Sequence, residues 1–168
     1  MHNKHHTETH IIPPSRITLA DDDATLLLGA QLAPLLHGGL AVFLHGELGA
    51  GKTTLVRGML RHLGHSGKVR SPTYNLVEIY KISRLYFYHF DFYRFNDPSE
   101  WEDAGFREYF NPDSVCLIEW PEKAAGLLDS PDLDITIDYA SRGRIATIRA
   151  NTEAGILCLQ HQQNPRVL

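Results

Sequence analysis

An α/β fold built on a mixed sheet is predicted by three features of the 168-residue sequence. Short apolar runs at 40–44 (LAVFL) and 114–118 (SVCLI) have the length of strands buried on both faces, as in a parallel sheet. Stretches with apolar residues at helical spacing lie between and before them. Two pairs of strand-like segments, 74–80 with 85–91 and 132–139 with 144–150, are joined by connections short enough for antiparallel hairpins. The sheet is therefore expected to be mixed and flanked by helices.

Each element follows from local chemistry. Residues 16–19 read as a short edge strand. The Asp21-Asp22-Asp23 run opens a helix predicted to reach residue 37. Its acids cap free N–H groups and suit the positive helix end, and Ala24, Leu27, Leu28, Leu32, Leu35 and Leu36 form its apolar face. Pro34 is expected to kink this helix and Gly38-Gly39 to end it. A second helix is predicted over 52–63, with Leu55, Met59 and Leu63 inward and Gly64 as C-cap. Asp97-Pro98-Ser99-Glu100 has the form of a helix start, and that helix is expected to run through Tyr109. A last strand is expected at 155–159. Without repeats or low-complexity linkers, a single domain is expected over 16–160, between a His-rich tail at 1–15 and a tail at 161–168.

Composition narrows the class. Sixteen basic against twenty acidic residues give a net charge of −4, which argues against a bulk electrostatic grip on nucleic acid or anionic lipid. Cys116 and Cys158 lie in separate apolar runs, as buried thiols in a reducing compartment do. No apolar run approaches the ~18 residues of a membrane span. The polar stretch 1–9 has no apolar segment behind it, so a cytoplasmic protein without a secretory signal is expected. His2, His5, His6 and His10 form a tract of a kind that can bind metal, but its setting reads as a solvated tail. The three consecutive Asp point in different directions on a helix and make no metal site.

Gly46-Glu47-Leu48-Gly49-Ala50-Gly51-Lys52-Thr53 matches G-x-x-x-x-G-K-[ST], the P-loop. Glycines let backbone N–H groups close around a phosphate, and the helix starting at Lys52 aims its positive end there. The Lys52 ammonium suits β- and γ-phosphates, and the Thr53 hydroxyl suits Mg²⁺. The motif follows an apolar strand and opens a helix, the context it requires. Hydrolysis also needs a carboxylate near the metal and a group that orients water. Asp91 and Glu119, each directly after an apolar run, are the candidates. Thr73, in Ser71-Pro72-Thr73-Tyr74, reads either as a switch residue sensing the γ-phosphate or as part of a turn before a strand. No N-K-x-D guanine reader follows the P-loop.

GELGAGKTTLVRG, SPTY, HFDFYR and IEWPE, in this order and spacing, resemble the TsaE (YjeE) family of bacterial P-loop ATPases, which serve the threonylcarbamoyl modification of adenosine in tRNA. The resemblance runs from about residue 17 to 159. It implies that Gly46 to Thr54 form the ATP phosphate loop, that Thr53 and Glu119 ligate Mg²⁺, and that Asp91 is the essential acid near the metal. It further implies that Thr73 is switch-like and that Trp120 adjoins the nucleotide. Thr25 and Arg144 resemble positions near the base or phosphates. The family's partners, TsaB and TsaD, form a complex that ATP hydrolysis is thought to reset; strong direct binding to tRNA and association with membranes are not expected. Two other classes remain open: a P-loop phosphotransferase for a small molecule, and a nucleotide-gated binding module with negligible turnover.

Overall fold

The LAVFL run becomes β2 (Ala41–His45), an inner strand of a seven-stranded sheet ordered β1-β7-β6-β2-β5-β4-β3. The computed structural model describes residues 13–72 and 74–163, with 161–163 by backbone alone. The His-rich tract and Thr73 lie outside the described residues. The other strands are β1 (Ser15–Leu19), β3 (Val77–Ile82), β4 (Leu85–Asp91), β5 (Ser114–Glu119), β6 (Leu133–Tyr139) and β7 (Arg144–Ala150). β2 runs parallel to β5 and β6, and β4 parallel to β5. The pairs β3/β4, β6/β7 and β1/β7 are antiparallel. The sheet is mixed and carries both expected hairpins.

The helices are α1 (Asp22–Leu32), α2 (Lys52–His62), α3 (Pro98–Asp103) and α4 (Glu153–Gln163). Three expectations are corrected. α1 stops at Leu32 and continues as a 3-10 turn over Ala33–Leu35, because Pro34 lacks the N–H that an α-helix would use. The helix from Pro98 breaks at Gly105, whose φ of 66° is left-handed, before a separate 3-10 turn over Phe106–Tyr109. Residues 155–159 are helical rather than a strand: Thr152 Oγ1 accepts the Gly155 N–H at 3.2 Å as an N-cap. Gly155, Cys158 and Leu159 are buried at the three–four spacing of a helix, and α4 extends past residue 160.

Two apolar clusters cover the two faces of the sheet. Leu28, Leu32, Leu55, Met59 and Leu60 of α1 and α2 pack on Val42, Leu44, Phe87 and Leu117. Tyr88, Phe90, Phe92, Trp101, Phe106 and Ile118 form an aromatic cluster on the other side. Alternation along β4 therefore puts Phe87, His89 and Asp91 on the α2 side and Tyr88 and Phe90 on the other.

α1 and α2 cross backbone to backbone. A Cβ on Gly29 would lie 2.4 Å from the Leu55 carbonyl oxygen, and one on Gly58 would lie 2.3 Å from that of Leu26. Neither backbone atom can yield without parting the helices. Gly58→Ala is therefore expected to destabilise the fold by about 2 kcal/mol or more, in the range of overpacked cores. Thermal denaturation followed by circular dichroism should show Tm falling by roughly 5 °C or more; an unchanged Tm would mean that this crossing does not hold α2 in place.

Candidate functional site

β2 ends at His45 and the chain turns through the glycine-rich loop into α2. Gly46 has φ 151° and a Cβ there would sit 2.7 Å from the Ile137 carbonyl oxygen. Gly51 caps α2 in the left-handed region, with φ 113°, so both need to be glycine. The loop is gripped from outside: Tyr139 donates its hydroxyl to the Leu48 carbonyl at 2.9 Å. The Glu47 carbonyl accepts the Ala50 N–H at 3.1 Å.

Lys52 is 5% exposed, whereas a P-loop lysine is expected at the surface. Its ammonium donates to the Gly46 carbonyl and lies 3.9 Å above the Trp120 ring. Burial draws its pKa below the ordinary lysine value, while the carboxylates of Glu119, Asp91 and Glu122 act in the opposite direction. Trp120 itself is left-handed, φ 55° and ψ 49°, a conformation uncommon for a bulky residue. That turn swings the indole over the loop, where Tyr93 packs against it with ring centroids 5.0 Å apart.

Two acids stand at the ends of neighbouring parallel strands, since Asp91 of β4 is in register with Glu119 of β5. Glu119 is 3% exposed. Its Oε2 accepts the Thr53 hydroxyl at 2.9 Å and lies 2.6 Å from His89 Nε2. Asp91 accepts the Ser71 hydroxyl and, at 2.9 Å, the Tyr93 N–H. Leu48, Gly49, Ala50, Gly51, Lys52, Thr53, Thr54, Ser71, Asp91, Glu119 and Trp120 line one cleft of about 250 Å³. An adjoining cleft of about 330 Å³ shares Leu48, Ser71 and Asp91 and adds Pro72, Tyr93 and Arg94.

Most of the residues read from sequence thus come together. Gly46 and Glu47 act through the loop backbone. Thr25 is buried behind the loop, its methyl 3.6 Å from where a Gly51 Cβ would stand, and Arg144 stacks on Tyr139 with its Cζ 4.1 Å from the ring centroid. Neither lines the cleft among the described residues; both support the loop from outside. Thr73 is outside the described residues, although Ser71 and Pro72 before it line the clefts. His89 and Tyr139 were not singled out by sequence reasoning. Period-two alternation from Asp91 would have put His89 on the same face; nothing local marks Tyr139.

The donor set suits a nucleotide phosphate with Mg²⁺. Thr53 spends its single hydroxyl proton on Glu119, which leaves oxygen lone pairs for a cation. Among the described residues no cluster of three or more His, Cys, Asp or Glu could hold a metal alone. Mg²⁺ is typically bound through one or two carboxylates together with substrate phosphates and water, and the cleft presents two carboxylates, Asp91 and Glu119, beside the Thr53 hydroxyl.

A strand, a glycine loop and a helix bearing Lys-Thr, beside acids at two strand ends, define a P-loop α/β protein. The chain belongs to the TsaE family: the family model described as "Threonylcarbamoyl adenosine biosynthesis protein TsaE" matches residues 19–146. Its relatives include the "tRNA threonylcarbamoyladenosine biosynthesis protein TsaE" of Haemophilus influenzae, 47% identical over 142 residues, which covers 82% of this chain and 90% of that protein. The TsaE of Bacillus subtilis is 41% identical over 118 residues, covering 70% and 73% respectively. The crystal structure of Bacillus subtilis YdiB superposes with a TM-score of 0.79 at 26% identity, covering 95% of this chain and all of that one. The family resemblance read from the four motifs is thus borne out, and the family is one of tRNA threonylcarbamoyladenosine biosynthesis. No helix among the described residues is long and apolar enough to cross a membrane.

Proposed function

We propose that this chain is a cytoplasmic Mg²⁺-dependent ATPase that acts with a TsaB–TsaD complex in forming N6-threonylcarbamoyladenosine in tRNA, using hydrolysis to reset or regulate that complex. The domain responsible spans 16–160 in this reading, with α4 completing it. The observation that carries the proposal is the convergence of Lys52, Thr53, Asp91 and Glu119 on one P-loop cleft.

The loop N–H groups and the α2 N-terminus bind the phosphates of ATP. Lys52 leaves the Gly46 carbonyl for the β- and γ-phosphate oxygens. Thr53 and Glu119, with Asp91 nearby, would hold Mg²⁺, whose charge would offset that of the phosphates. Asp91, held by Ser71 and the Tyr93 N–H, orients the attacking water and accepts its proton. Trp120 covers the loop and limits access of bulk water.

Lys52 is the one cation among the described residues lining this cleft. P-loop sites short of a second cation hydrolyse slowly until a partner supplies one or orders one; Arg94, on the adjoining cleft, is placed to be ordered. Weak basal phosphate release is therefore expected, rising at least several-fold with TsaB–TsaD and not with tRNA alone. The adjoining cleft is also the feature that would suit a small phosphoryl acceptor, so sugars and nucleosides belong in the assay, and none is expected to gain phosphate. A phosphorylated small molecule would favour the phosphotransferase. ATP-dependent complex formation without turnover would favour the gated binding module.

A further inference from the structure

We propose that His89 is a positioning residue for the Glu119 carboxylate and, through it, for the Thr53 hydroxyl; the proposal rests on the Mg²⁺-ATP reading of the cleft. His89 is wholly buried on β4, two residues before Asp91 and on the same face. Its Nε2 is 2.6 Å from Glu119 Oε2, while Nδ1 is buried with no hydrogen-bond partner among the described residues. A carboxylate only accepts, so Nε2 carries the proton and donates it. Leaving a buried ring nitrogen unpartnered is costly. Phe87, one step back on this face, fills its space with no polar atom. A hydrocarbon at 89 would satisfy the core; what it could not do is donate to Glu119.

The consequence lies in how the two carboxylate oxygens are used. Oε2 takes both the His89 donor and the Thr53 hydroxyl. Two donors on one oxygen fix the plane of the carboxyl group, leaving Oε1 without a protein donor among the described residues while Glu119 borders the cleft. The same arrangement pins the Thr53 proton toward Glu119, so its lone pairs are turned away from that acid. His89 thus holds the geometry of two oxygen donors without itself touching nucleotide or cation. Partners of this kind commonly alter metal affinity by about 10–100-fold when removed.

The test uses the full chain and calorimetric titration of ATP with and without Mg²⁺. His89→Leu is expected to bind ATP alone within about 2-fold of wild type but to lose at least ~10-fold of the Mg²⁺-dependent gain in affinity. His89→Gln, which can still donate near the Nε2 position, is expected to retain most of that gain. A wild type with no Mg²⁺-dependent gain would defeat the reading of the cleft itself. A wild-type gain preserved in His89→Leu, or an equal loss with and without Mg²⁺, would overturn the role of His89. A measurement on unaltered protein decides the matter even if His89→Leu does not fold. With ¹⁵N-labelled histidine, the Nε2–H signal of His89, assigned by its loss in His89→Gln, should shift when Mg²⁺ joins a non-hydrolysable ATP analogue. Indifference of that signal to Mg²⁺, in protein whose binding shows the gain, would likewise overturn the proposal.

Discussion

Lys52→Ala should lose measurable ATP binding and turnover while the chain stays folded. Lys52 is a desolvated cation on a loop whose other groups toward the phosphates are backbone dipoles, and it faces Glu119 and Asp91 across the cleft. Without it, the phosphates of ATP would enter a cleft bearing two carboxylates and no side-chain cation among its described lining residues. That repulsion acts with little solvent to screen it. The fold loses little by comparison. The side chain packs on the Trp120 ring and bonds one carbonyl, so removing it takes away a contact but also a buried charge. Tm without nucleotide is expected to move by no more than about 3 °C, or roughly 1 kcal/mol. Calorimetric titration and thermal melting of the same sample check both halves. Unchanged affinity and turnover would remove the P-loop from the chemistry.

Asp91→Asn and Glu119→Gln should each lower turnover at least ~10-fold, about 1.4 kcal/mol of barrier; ATP affinity should be much less affected at Asp91, whereas at Glu119 its Mg²⁺-dependent part should fall as well. Each replacement keeps shape and removes charge, but the local cost differs. At Asp91 the carboxylate accepts from Ser71 and from the Tyr93 N–H; an amide has one oxygen, so one of these donors would meet an NH₂ group. The link between the SPTY segment and β4 is then weakened as well as the charge lost. At Glu119 two donors share a single oxygen, so an amide oxygen can still serve both, and the loss should appear mainly in the dependence on Mg²⁺. A fall in turnover exceeding the fall in affinity marks an interaction made in the transition state. Single-turnover phosphate release alongside binding separates the two, and wild-type rates in either variant would remove that acid from the chemistry.

The parts of this molecule that could be read from sequence are those governed by neighbours in the chain. β2, the glycine loop and α2 announce themselves through an apolar run, a spaced motif and a helical stripe. The hairpins follow from alternation. What escaped depends on distant contacts or on ambiguous local signals. The run at 155–159 is short and apolar, equally compatible with a strand until Thr152 is seen to cap it. Gly105 could sit within a helix or end one. Lys52 lies under Trp120, whose left-handed turn brings its ring across the loop. Tyr139 reaches Leu48 from the far end of β6, a pairing with no trace in local spacing. His89 lay within a motif read for its aspartate, and its link to Glu119 exists only because β4 and β5 pair in parallel register.

The order in which the sheet is wired bears on the birth of the protein. β2 delivers the phosphate loop, yet both of its neighbours, β5 and β6, lie later in the chain. So does the Tyr139 hydroxyl that holds Leu48. A ribosome adding about 5–20 residues per second needs on the order of ten seconds to pass from the loop to that tyrosine. Until β5 emerges β2 has neither neighbour, and until β6 follows it is paired on one side only. The ability to hold nucleotide therefore arrives late and nearly all at once in translation, and a chain interrupted before β6 should be inert rather than partly active.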